Sequence, residues 1–165
     1  MKYTKNKEFF LAIILLFITI IFSAIAYVLW YPLSFFIGPY FFIHWLGIIA
    51  AFFIAFFIPI YYILKRKKPQ YKKSLLKIHI FGNLVAFLLV SIHFAQNFGR
   101  LTNFLKIGDG VTLFLFLTVL VTTGFLEKFR IGNRGLRYSK FVHRYIIVIF
   151  YVVVTFHMLQ GFIII

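Results

Sequence analysis

The sequence predicts an all-α integral membrane protein: a helical bundle of five transmembrane helices, with the N-terminus cytoplasmic and the C-terminus outside. Hydrophobic residues make up 63% of the 165 positions and the mean hydropathy is +0.99, well beyond the range of soluble domains. Five apolar stretches approach or exceed the roughly 20 residues needed to cross a hydrocarbon core. They run over about 9–31, 40–64, 75–98, 110–128 and 141–165 and leave no room for a soluble domain, so 1–165 is expected to form a single domain. Of the 18 Lys and Arg, 16 fall before the first span, in the stretch 65–77 or in the stretch 128–144, all at the same side of the spans; Arg100 and Lys106 are left on the opposite side. Positive charge accumulates on the cytoplasmic side of membrane proteins, which sets the orientation and predicts a multi-pass protein of the cell membrane. The same placement explains the net charge of +15 through orientation and contact with anionic lipid headgroups. Nothing further points to nucleic acid.

The first span follows a basic "MKYTKNK" and contains "SAIA" at 23–26, a pattern that imitates a signal peptide and its cleavage site. The apolar run continues through "YVLWYPL" to spanning length, so a retained helix is expected. Pro32, Gly38 and Pro39 predict a short outer turn before the second span, and Trp30, Tyr31, Tyr40 and Trp45 form an interfacial aromatic belt. On the inner side Pro69 breaks the chain, and Ser74 and Ser139 stand where N-caps of the third and fifth helices are expected. The outer loop "GRLTNFLKIGDG" is expected to close in a Gly-Asp-Gly turn. The fourth span is the shortest and carries Thr112, Thr118, Thr122, Thr123 and Gly124, small or hydroxylated residues that allow close helix approach. Short connections favour an up-down antiparallel order.

Two stretches share one spacing: "IHIFGNLVAFLLVSIH" at 78–93 and "VHRYIIVIFYVVVTFH" at 142–157 each hold histidines 14 positions apart. Fourteen residues at about 100° each return to within about 40° of the starting face, after a rise of about 21 Å. A single span separates the third and fifth helices, so these run in the same direction. His79 and His143 are thus expected near the cytoplasmic end, and His93 and His157 near the outer end. An ionisable ring inside a span is costly and marks a functional site by default. One such histidine is ordinarily a hydrogen-bonded core residue; four in a duplicated spacing on parallel helices need another reason. About 21 Å is too far for one shared metal centre, and two ligands are too few for structural zinc. Two nitrogen ligands suit haem iron, whose other four positions the macrocycle fills. The chain has no cysteine, which excludes disulfides, thiolate iron–sulfur clusters and covalent haem attachment within it. Two non-covalent haem b groups are expected.

Gly82 and Ala86 share the His79/His93 face and leave space for a flat ring. Phe150 lies seven residues from both His143 and His157, where it either packs or bridges the two haems. Lys72 and Arg100 sit seven residues beyond His79 and His93, and Lys140 and Arg144 flank His143; these four cations either contact haem propionates or snorkel to the interface. Gln96 and Gln160 follow the outer histidines by three positions, with an equal claim as interhelical hydrogen bonders. His44 has no partner in register. It is expected to be an interfacial histidine or a contact near the outer haem.

The segments "KIHIFGNLVAFLLVSIH" and "FVHRYIIVIFYVVVTFH" resemble the ferric-reductase-like transmembrane superfamily of di-haem b-type cytochromes. That family carries histidine pairs on its third and fifth helices, often with an arginine in the place of Arg144, and its oxidase members keep an aromatic residue between the haems, as Phe150 would be. The likeness covers 75–160, and the first two spans share only their apolar character. Similar histidine spacing occurs in quinol-oxidising cytochromes b. The resemblance implies the membrane haem subunit of an oxidoreductase. Family members usually append a flavin and NAD(P)H domain, whereas this chain ends at the fifth span, and "GNRG" at 132–135 is no dinucleotide fingerprint because no strand precedes it and a glycine is missing. A separate cytoplasmic flavoprotein or a quinol is therefore the expected donor, and an external acceptor or redox protein the expected partner. Three readings follow: a transmembrane electron conduit, a quinone-linked cytochrome b subunit, or a non-redox scaffold or transporter subunit whose histidines bind protons or divalent ions.

Overall fold

The computed structural model describes residues 2–100, 108–131 and 136–163. Helix α1 spans Lys2–Val28, α2 Phe42–Lys67, α3 Lys72–Gly99, α4 Gly108–Phe129 and α5 Leu136–Ile163. All five are long and apolar enough to cross a membrane. In hydrocarbon a helix satisfies its backbone hydrogen bonds internally, which is why apolar runs of this length take that form. Lys106 and the "GNRG" segment lie outside the described residues, as do the last two positions expected in the fifth span.

The outer turn is a small hairpin, β1 (Phe36–Ile37) paired antiparallel with β2 (Tyr40–Phe41), in the register Phe36↔Phe41 and Ile37↔Tyr40. Its two loop residues are Gly38, at φ +63°, and Pro39, whose ring confines φ to negative values, the combination that a type II′ turn requires. Trp45 donates from Nε1 to the carbonyl of Ile37 at 2.9 Å and so ties α2 to the hairpin.

The chain divides into two compact units, Met1–Leu101 and Thr102–Ile165. In the first, α1 and α2 both pack on α3. Helix α1 buries Ala12, Thr19 and Ala26, a stripe of small residues at seven-residue spacing, and exposes Phe10, Phe17 and Ile20. Small side chains let backbones approach, while large apolar ones suit lipid. Near the end of α3 a Cβ on Gly99 would stand 2.7 Å from the carbonyl of Tyr27, so only glycine fits. Gln96, 1% exposed, donates to the carbonyl of Trp30 at 3.0 Å and to Ser34 Oγ at 2.8 Å. It bonds to the turn after α1 rather than to another helix, and so ties α3 to that turn.

In the second unit α4 packs on α5. The α4 stripe Leu113, Leu117, Leu120 and Thr123 is buried. Helix α4 ends in a Schellman motif, the amide of Ile131 donating to the carbonyl of Leu126 at 3.1 Å, with Arg130 at φ 54° where glycine is usual.

Three local expectations are corrected. Helix α3 starts at Lys72, so Ser74 lies inside its exposed first turn rather than capping it. Helix α5 starts at Leu136, and Ser139 is buried, donating to the carbonyl of Thr123 at 3.0 Å. A serine hydroxyl can serve either role, and the earlier helix start gives it the cross-helix one. The Gly-Asp-Gly stretch opens α4 instead of closing a loop.

Candidate functional site

His79 and His93 stand on α3 in the first unit; His143 and His157 stand on α5 in the second. All four are half-buried. Their helices are regular through both spacings, so each pair is separated by about 21 Å of helix rise.

The surroundings fix the chemistry of two rings. His93 Nδ1 lies 3.0 Å from the carbonyl oxygen of Ile43 on α2. A carbonyl only accepts, so Nδ1 carries the proton and Nε2 the lone pair. Thr123 Oγ1 lies 2.7 Å from the carbonyl oxygen of Val119 and 2.9 Å from His143 Nδ1; with its hydroxyl donating to that carbonyl, Oγ1 accepts from Nδ1–H. His143 is assigned the same tautomer. Holding Nδ1–H on a protein oxygen is the arrangement that orients an imidazole and raises the basicity of Nε2 for a metal. Gly124 lies beside the same ring, and a Cβ on it would stand 3.4 Å away, an ordinary van der Waals contact.

His79 is held differently. Tyr61, buried on α2, stacks on it with ring centroids 4.6 Å apart and 11° between planes. Asn83 Nδ2 reaches His79 Nδ1 at 3.2 Å. In this orientation the amide donates; turned over, it would accept from Nδ1–H, so the pair serves either tautomer. One turn after His93, Asn97 repeats the spacing, its Nδ2 3.4 Å from Nδ1 and 2.8 Å from the carbonyl of His93. His44 stands edge-on to His93, centroids 5.4 Å apart, and stacks on Phe41, over which Arg100 lies at 4.7 Å. His157 continues the α5 stripe of His143 and Phe150, and Phe150 is buried, 3% exposed.

The remaining expected site residues take these places. A Cβ built on Gly82 would collide with the Phe53 ring, so this glycine admits α2 against α3. Ala86 is buried on the same helix. Lys72 is exposed and lines a cavity with Tyr62, Lys65, Arg66 and Pro69. Lys140 and Arg144, also exposed, line another with Arg137, Phe141 and Tyr145.

The residues missed in the sequence are Thr123, Tyr61, Asn83 and Asn97. The two asparagines had a signal, His-x3-Asn repeated at 79–83 and 93–97. Thr123 had a weaker one, a Thr-Gly pair inside an apolar helix.

Among the described residues no three His, Cys, Asp or Glu side chains converge as a metal group. A zinc cage of protein ligands thus has no candidate there. Of the four imidazoles, His93 and His143 hold Nδ1 against an oxygen, the Ile43 carbonyl and the Thr123 hydroxyl. Fold and site define an α-helical membrane protein with oriented histidines set into its spans. Comparison with family models, with curated proteins and with solved structures gives no match.

Proposed function

We propose that the chain is a cytochrome b subunit that carries electrons across a membrane on two bis-histidine haems. The observation that supports it most is the duplicated 14-residue histidine spacing, with Nδ1–H of one ring in each helix anchored on Ile43 or Thr123. The pairing is the one the register gives: His79 with His143 at the inner site, His93 with His157 at the outer. Haem bound there supplies a one-electron ferric/ferrous couple. The protein's part is to orient the imidazoles, exclude water with the aromatic packing around Tyr61 and Phe150, and balance charge through cations such as Arg100, Lys140 and Arg144. The 16 cations on one side favour a cytoplasmic orientation for the His79/His143 ends and an acidic soluble donor, which long-range attraction would steer. With the cytoplasm negative, outward electron transfer gains about 2.3 kcal/mol per 100 mV for a full crossing.

A reduced-minus-oxidised spectrum of protein expressed with sufficient haem tests this. The expected result is b-type bands that lose one component on His143→Ala. An absent Soret band would instead favour a scaffold or ion-binding subunit, and reduction by quinol alone would favour a quinone-linked subunit.

A further inference from the structure

The end of the first unit that carries Lys65 holds charge that the unit itself does not neutralise. A cavity of about 320 Å³ is lined by Tyr62, Lys65, Arg66, Pro69 and Lys72. Three cations thus share one concavity, at the junction of α2, the 3₁₀ turn Pro69–Tyr71 and α3. Glu8 is the sole carboxylate side chain in residues 1–101, and its Oε1 is 3.1 Å from Lys77 Nζ. Converging like charges are unfavourable unless an anion joins them. Two of the three cations are also positioned by aromatic rings: Lys65 Nζ lies 5.4 Å from the Tyr61 centroid, and the Arg66 guanidinium 5.9 Å from that of Tyr62. Contact with a ring face leaves their N–H groups able to donate to an oxyanion.

We propose that this cavity binds the phosphate of an anionic membrane lipid, with an acyl chain lying along α2. The helix supplies the tail path: Phe52, Phe56 and Ile63 are exposed and fall on the helix face that ends at Arg66. Phe52 and Phe56 stack in parallel, centroids 5.7 Å apart and 1° between planes, and add to an apolar wall. Free phosphate has no use for that wall. A lipid uses both parts, and basic pockets beside spanning helices are suited to such headgroups. Lys72 is thereby assigned to lipid phosphate rather than to a haem propionate. The proposal does not depend on haem binding.

Native mass spectrometry of the intact detergent-solubilised chain, titrated with phosphatidylglycerol and separately with phosphatidylcholine, tests it. Phosphatidylglycerol should be retained preferentially. Replacing Lys65, Arg66 and Lys72 by Gln should weaken its binding at least about tenfold more than replacing Lys67, Lys68 and Lys73, which removes equal charge outside the cavity and loses no direct bond to the phosphate. Phe56→Ser should also weaken it, and millimolar inorganic phosphate should not displace it. Equal losses from the two triple substitutions would mean diffuse attraction and overturn the proposal. So would equal retention of phosphatidylcholine, or displacement by phosphate, which would mark an ion site without a tail.

Discussion

Thr123→Val isolates the anchoring of one histidine. Valine keeps the volume and branching of threonine but loses the oxygen that accepts from His143 Nδ1 at 2.9 Å. The Ser139 bond is kept, because it goes to the Thr123 backbone carbonyl. Leaving a fully buried N–H without its acceptor costs about 1–3 kcal/mol, the upper bound for half-buried His143. Removing such an outer partner of a metal-ligating histidine ordinarily lowers metal affinity about 10–100-fold, or about 1.4–2.7 kcal/mol, and the two figures agree. Titration of the apoprotein with haem, followed in the Soret region, should show one of two sites weakened by that factor, with altered g-values for that haem. Thr123→Ser should restore both. Thr118→Val is the control, since Thr118 donates only to the carbonyl of Phe114 in its own helix, at 2.7 Å, and its replacement should change haem affinity less than twofold. Unchanged affinity and g-values in Thr123→Val, with helix content retained, would refute the idea that Thr123 orients a ligand.

Further outcomes follow from the same geometry. His79→Ala with His143→Ala should remove one haem, whereas crossed pairing would remove both; the haem content of the double variant decides. Gly82→Leu should lower the midpoint of thermal unfolding in detergent by driving a side chain into Phe53, at a cost of about 1–3 kcal/mol for overpacking, and Phe53→Ala should recover part of it. Replacing Lys65, Arg66, Lys67 and Lys68 together should slow haem reduction by an acidic soluble donor in stopped flow, as raising salt does when the Debye length shrinks from about 10 Å at 0.1 M to about 3 Å at 1 M. A rate indifferent to both would favour a donor within the bilayer.

Much of the helical architecture was legible because hydrocarbon leaves the backbone few choices. Apolar runs of spanning length became helices, and Gly38-Pro39 marked the turn that the hairpin makes. What could not be read was which face of each helix meets which neighbour. Gly82 shares a face with His79 and His93 in projection, yet whether that face holds a ligand or Phe53 depends on how α2 lies against α3. Ser139 met every local criterion for an N-cap, and only the extra helical turn before it turned its hydroxyl toward α4. The four histidines stood out because an ionisable ring is costly in an apolar run. Their anchors did not, because a threonine or asparagine that bonds its own backbone and one that holds an imidazole look alike until the partner helix is in place.

The most direct measurement is haem stoichiometry. Pyridine haemochrome analysis of the purified chain, set against protein determined by amino-acid analysis, should give about two b-type haems per chain, because the 14-residue histidine spacing occurs on both α3 and α5 and each haem iron has two axial positions. A ratio near one, or no haem after expression with haem supplied, would contradict the di-haem conduit.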